Sequence, residues 1–285
     1  MNDVDKSSPG RRGDYTRAGP DFVVDQNWGR YSSAEHALWQ RLWTRQSRLL
    51  PGHACDAFLR NLSRAGSDTQ LPRFETVSGA LRKATGWEVV AVPGLVPDPV
   101  FFAHLSQRRF PVTSWLRRPD EFDYIVEPDV FHDFFGHVPL LFDPRFADYM
   151  QAYGIGGLKA VRLDALECLA RLYWYTVEFG LMRSPEGLRI YGAGILSSGS
   201  EVVHSTTSTR CARLEFRLDR LLRTRYNIDR FQDTYFVINS FDELIADTAH
   251  DFTRTYERIR DLPSLSSDEA APGDMRVPLA SQSKE

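Results

Sequence analysis

One carboxylate stands alone in a long aromatic and apolar run. Glu178 lies in YWYTVEFGLM, and positions 174, 175, 181 and 182, its neighbours on a helix, are Trp, Tyr, Leu and Met. None is basic. Burying an unpaired carboxylate costs on the order of several kcal/mol. A chain that folds around this run therefore either turns Glu178 to solvent or brings it a cation from a distant segment. Glu167 is different, because Arg171 follows four residues on and makes an ordinary helix-surface pair.

A distant segment of suitable chemistry exists. Seven histidines occur, and only His132 and His137 are close together, in EPDVFHDFFGHVPLLFDP (127–144). Five residues on a regular helix turn through about 500°, which leaves the two side chains ~140° apart. An undistorted helix cannot aim both at one ion, so His132 is expected at the helix start or in the loop before it, with Pro128 and Asp129 just upstream. Pro139 marks a disruption or kink soon after. The zinc-protease pattern needs a spacing of four and a Glu after the first His; here the spacing is five and Asp133 follows. Two readings stay open: two polar residues in a Phe-rich packing segment, or two ligands that join Glu178. Two His and one carboxylate with open positions are the donor set of non-haem Fe(II) oxygenases.

Around these segments the pattern is mainly helical with few short strands, an α+β class, and one domain. Ser32 and Glu35 have capping-box spacing before a helix that carries Leu38, Leu42 and Leu49 and stops at Pro51-Gly52. WEVVAV (87–92), RIYGAGIL (189–196) and TYFVI (234–238) read as short strands. A long helix is expected over 162–182. Another is capped by Ser240 and Glu243 and carries Ile245, Phe252, Tyr256 and Ile259. Residues 1–20 and 263–285, rich in Gly, Ser, Asp and Pro, are expected to be a disordered N-terminal tail and a flexible C-terminal tail around a domain at 21–262.

Composition excludes several classes. Lys and Arg total 35 against 38 Asp and Glu, a net charge of −3 that offers nothing to a phosphate backbone, so no nucleic acid is expected. No apolar run reaches the ~18–20 residues of a membrane span. Residues 1–15 lack the apolar core of a secretory signal. Cys55, Cys168 and Cys211 are an odd, scattered set, not a disulfide framework. The expectation is a reduced, cytoplasmic protein.

In these segments the sequence resembles the pterin-dependent aromatic amino acid hydroxylases, most of all the short bacterial phenylalanine hydroxylases. The resemblance rests on EPDVFHDFFGHVPLLFDPRFADYMQAYG (127–154), ARLYWYTVEFGL (170–181) and IYGAGILSS (190–198), with weaker likeness in 31–58, 85–98 and 108–117; it spans roughly 27–255. It implies a single catalytic domain holding Fe(II) through His132, His137 and Glu178, with a tetrahydropterin such as tetrahydrobiopterin and O₂ as co-substrates. The ring of the amino acid is hydroxylated and the pterin leaves in its 4a-hydroxy form.

The resemblance also implies roles position by position. Arg117 and Ser197 match residues that contact the substrate carboxylate; Trp174 and Gly194 match the ring pocket. Phe101 matches the aromatic on which the pterin stacks, and Gly94 and Leu95 match the loop whose backbone meets it. Asp133 sits where the family has an acidic residue near the pterin. Glu201 sits where the family supports a ligand histidine, and Tyr173 is near the metal. Animal members read Thr-Pro-Glu-Pro-Asp before the first His; here the string is Ile125-Val126-Glu127-Pro128-Asp129. Trp174 and the apolar Ile228 favour phenylalanine over tryptophan and tyrosine. With no room for a regulatory domain and no heptad tail, a monomer is expected.

Overall fold

The computed structural model describes residues 12–249 and 251–279. Helices dominate, as the periodicity predicts. Ser33–Leu49 is a helix whose N-cap Ser32 accepts from the Glu35 amide while the Glu35 carboxylate accepts from Ser32, the reciprocal box read from the sequence. It ends before Gly52, whose φ of +80° only glycine adopts freely. Helices Asp56–Ala65 and Phe74–Ala84 follow. Strands β1 (Glu88–Val92) and β2 (Arg109–Thr113) pair in parallel around the crossover helix Asp98–Ser106. A second sheet has the order β4-β3-β6-β5, formed by β3 (Leu181–Ser184), β4 (Gly187–Ile190), β5 (Ala212–Glu215) and β6 (Thr234–Ile238). Only β3 and β4 are antiparallel. Among the described residues no helix is long and apolar enough to cross a membrane.

Several expectations need correction. The helix expected over 162–182 is shorter. Pro144–Arg162 ends just before Asp164, whose φ is +53°; Leu166–Tyr173 then runs into a wider π-helical turn, Trp174–Glu178, and the chain leaves it as β3. Leu181 and Met182 pair with Val237 and Ile238, so sheet pairing overrides the helical period there. The strand expected over 189–196 stops at Ile190, and Ala193–Leu196 is a helical turn. The helix expected after Ser240 is two, Phe241–Thr248 and Thr253–Ile259.

The tails are corrected more strongly. Residues 1–11 and 280–285 lie outside the described residues. In residues 12–20, Tyr15 is buried with Phe22 against Val92 and Val96, and Arg12 pairs with Glu121 over the Trp115 ring. In residues 263–279, Leu265, Ser267 and Val277 are buried. Val277 N–H donates to Arg213 O, Leu265 bridges to Thr224, and Asp274 pairs with the buried Arg220. Single apolar anchors among polar residues hold both segments.

The core places the histidines. Phe131, Phe134 and Phe135 are fully buried and pack on the first three helices. Ring centroids are 5.5 Å apart for Trp39–Phe131, 5.0 Å for Trp43–Phe135 and 5.9 Å for the stacked Phe74–Phe134 pair. Aromatic pairs of this geometry contribute about 0.5–1.5 kcal/mol each beyond area burial. One side of the 131–137 segment is thereby committed to the core, and the histidines take the other.

Candidate active site

Phe131–His137 is not an α-helix but a π-helical turn. Its i→i+5 bonding places residues five apart nearly above one another. This answers the geometric objection raised by the spacing: the helix is distorted, and His132 and His137 share a face, with ring centroids 5.4 Å apart. Glu178 ends the second π-helical turn. Its Oε2 lies 3.5 Å from His132 Nε2 and its Oε1 lies 3.2 Å from His137 Nε2. One donor atom from each of the three falls within 4.8 Å of the others. Asp129 anchors the first turn, its Oδ1 accepting from the His132 amide at 3.0 Å. On the far side, a Cβ on Gly136 would meet Ala193 O at 2.9 Å, so only glycine lets the turn seat against Ala193–Leu196.

Hydrogen bonding around Ser197 suits the His132 tautomer that carries its proton on Nδ1. Ser197 Oγ donates its one hydrogen to Ala193 O at 2.8 Å and so accepts from His132 Nδ1–H at 3.0 Å. That leaves the Nε2 lone pair pointing at Glu178. Burial alone would raise the Glu178 carboxyl; His137 and His132 in their protonated forms, with the Gly194 N–H, outweigh it and hold the group below its usual value. No Lys or Arg pairs with Glu178 among the described residues. Buried His137 Nδ1 has no hydrogen-bond partner among them either. Two imidazole nitrogens and an ionised carboxylate on one partly open face are suited to a divalent transition metal with free coordination positions.

Tyr173 packs against His137, with centroids 6.2 Å apart, and sets its ring edge-on to Phe101 at 5.6 Å. Trp174 stacks on Tyr226 at 4.3 Å and lies 4.7 Å from Phe179. A Cβ on Gly194 would come within 2.9 Å of Phe179 Cζ, so this glycine keeps the floor beside Glu178 low. Gly94 has φ +154°, and a Cβ there would meet the Tyr15 hydroxyl at 2.7 Å; that hydroxyl donates to Leu95 O at 3.1 Å. Asp133 Oδ2 accepts from the Thr113 amide at 2.8 Å, tying the π turn to β2. Burial raises the Asp133 carboxyl despite His132 nearby.

Three of the expected residues have protein partners of their own. Arg117 is buried, and its Nε and Nη2 already bind both oxygens of Asp129 at 2.9 Å. The Nε/Nη2 edge is thus occupied, and Nη1 on the outer edge lies 3.5 Å from Phe122 O. Ser197 has given its hydrogen to Ala193 and cannot donate to a carboxylate without breaking that bond; the structure makes it the support of His132. Glu201 does not reach a ligand histidine. It accepts from Tyr235 OH and, at 3.5 Å, from the Gln232 amide. Sequence reasoning missed Asp129, which holds both Arg117 and the His132 amide. For Asp129 the signal was its place three residues before His132, the spacing of a side-chain cap.

The sequence pattern of the family described as biopterin-dependent aromatic amino acid hydroxylase matches residues 12–262. The phenylalanine-4-hydroxylase of Ralstonia nicotianae is 58% identical over 256 residues, covering 90% of this chain and 82% of that protein. The Chromobacterium violaceum enzyme of the same name is 55% identical, covering 90% and 86%. A solved structure of the latter with bound iron(III) and oxidised 7,8-dihydrobiopterin superimposes with a TM-score of 0.87 at 53% identity, covering 90% of this chain and 93% of that one. Another, with iron and phenylalanine bound, gives 0.88 at 53% identity, covering 92% and 96%. The chain belongs to the biopterin-dependent aromatic amino acid hydroxylase family.

Proposed function

We propose that this protein is a phenylalanine 4-monooxygenase that uses Fe(II), a tetrahydropterin and O₂ to convert L-phenylalanine to L-tyrosine. The observation that carries this is the convergence of His132, His137 and Glu178 on one open face, in a member of a biopterin-dependent hydroxylase family. Bound iron, with the pterin, supplies the activation of O₂ that no side chain can supply.

The chain's own residues do the rest. Ser197 holds His132 as an Nε2 donor, and Glu178 adds the anionic ligand. The outer edge of Arg117 receives the substrate carboxylate, fixed in place by Asp129. Trp174, Phe179 and the bare backbone of Gly194 form the slot for the phenyl ring. Phe101 offers its face to the pterin with Tyr173 behind it, and Gly94 and Leu95 offer backbone groups, with Asp133 beside them. The protein acts as a monomer in the cytoplasm, on small molecules alone.

The test is anaerobic reconstitution with Fe(II), then O₂, tetrahydrobiopterin and phenylalanine, tyrosine or tryptophan in turn. Para-tyrosine from phenylalanine, only with both iron and pterin, is expected. Meta-tyrosine or hydroxytryptophan as the main product would keep the chemistry and change the substrate or the ring position. Glu178→Gln should lower bound iron and abolish product.

A further inference from the structure

A buried glutamine sits in an otherwise exposed loop beside the ring pocket. Residues 228–231 are exposed, yet Gln232 is only 5% exposed. A buried amide is tolerated only when its polar atoms are bonded, and here all are. Gln232 Oε1 accepts from Trp174 Nε1 at 2.9 Å. Its Nε2 donates to Asn227 O at 3.0 Å and Arg230 O at 3.4 Å, closing the loop upon itself. The amide orientation follows from the network: its oxygen faces an N–H, its nitrogen two carbonyls. From behind, the Glu201 carboxylate, also bonded to Tyr235, accepts from the Gln232 backbone N–H.

The bond matters because of what else holds Trp174. The indole is stacked nearly parallel on Tyr226, with 13° between planes, and leans on Phe179. Stacking fixes the plane of the indole but is met equally by the half-turn about Cβ–Cγ that exchanges its two edges. The indole has one polar atom, and a bond to it selects one of the two orientations and so decides which edge faces the site. The same amide fixes the loop that carries Ile228.

We propose that Gln232 is a positioning residue for substrate selection: it sets the orientation of the Trp174 wall, and through it which aromatic amino acid is accepted and which ring carbon is hydroxylated. This rests on the reading of Trp174 as a wall of the ring pocket. Gln232 touches neither substrate nor metal; it acts through the indole.

The test uses the iron-reconstituted enzyme and three variants. Gln232→Leu removes both halves of the amide. It should lower the preference for phenylalanine over tryptophan, as a ratio of kcat/KM values, by about tenfold. It should also yield meta-tyrosine and raise the pterin oxidised per tyrosine formed. Gln232→Glu keeps an acceptor for the indole and loses the bonds to Asn227 O and Arg230 O, so its selectivity should lie closer to the parent than that of the Leu variant; thermal unfolding of both variants separates a folding loss from a change in selectivity. In a Trp174→Phe background the Leu substitution should change selectivity no further. Unchanged selectivity and coupling in Gln232→Leu, while Trp174→Phe alters them, would overturn the role of Gln232 and leave the pocket reading standing. Unchanged selectivity in Trp174→Phe itself would overturn the pocket reading, and the proposal with it.

Discussion

Arg117 and Asp129 form an ion pair in the protein interior, with Nε and Nη2 each 2.9 Å from a carboxylate oxygen at 4% and 0% side-chain exposure. The same carboxylate accepts the backbone N–H groups of Arg117 and His132 at 2.8 and 3.0 Å. Burial pushes the Asp129 carboxyl up; the guanidinium and the two amides outweigh that and hold it below its usual value. One carboxylate thus locks the proposed carboxylate-binding arginine to the turn that presents His132. Substrate position and ligand position are set by a single group.

Arg117→Lys tests this link without removing the charge. A lysine supplies one ammonium in place of a fork and cannot bond both Asp129 oxygens and a substrate at once. KM for the amino acid should rise about tenfold or more, as expected for loss of a charge-assisted contact, while KM for the pterin stays near its parent value. Arg117→Ala goes further, because it leaves Asp129 buried and unpaired at about 3–5 kcal/mol; thermal unfolding should show that loss directly. A larger change in pterin KM than in amino acid KM would remove Arg117 from the substrate site.

Ser197→Ala separates the support of His132 from substrate binding. Without the hydroxyl, nothing at that position selects the ring tautomer with a free Nε2. Groups that orient a ligand histidine are worth roughly 10–100-fold in metal affinity. An Fe(II) titration should show a drop of that size, with KM for phenylalanine moving less. The reverse pattern would return Ser197 to the substrate carboxylate.

The limits of sequence reading here have physical causes. The Ser32–Glu35 box and TYFVI (234–238) were legible because a local cap and a β-branched and aromatic run each specify their own structure. The cluster of His132, His137 and Glu178 was legible because Glu178 has no basic neighbour on its own helix and the family strings imply its partners. The π-helical turns were not, since an i→i+5 turn is written with the same residues as an α-helix; it is imposed by Phe131, Phe134 and Phe135 seating in the core. The C-terminal segment reads as polar because Leu265 and Val277 are single anchors twelve residues apart. The partners of Ser197 and Glu201 were invisible because each comes from a distant segment: Ser197 Oγ meets His132 Nδ1, and Glu201 meets Tyr235 and Gln232.

Truncation after residue 262 tests the packed C-terminal segment. It removes Leu265 and Val277 from the core and leaves Arg220, 3% exposed on its side chain, without Asp274. Stranding a buried charge costs about 3–5 kcal/mol, so the truncated chain should unfold at a clearly lower temperature. An unchanged Tm would make the segment a loose wrapping with no share in stability.

Glu201 gives a pH signature with a defined sign. Burial raises its carboxyl above the usual value, and the Tyr235 hydroxyl and Gln232 amide reverse this only in part. In the unfolded chain the group titrates normally, near 4.5. Between those two values the folded state keeps a proton that the unfolded state has lost, so stability falls as pH rises through that window and stays reduced above it. Each unit of separation is worth about 1.4 kcal/mol. Glu201→Gln retains a neutral acceptor for Tyr235 and Gln232 and removes the titration. Denaturant unfolding followed from pH 4 upward should therefore show a flatter profile for the variant, which gains relative to the parent as pH rises. A steeper profile in the variant would mean that the ionised carboxylate stabilises the fold, contrary to its burial.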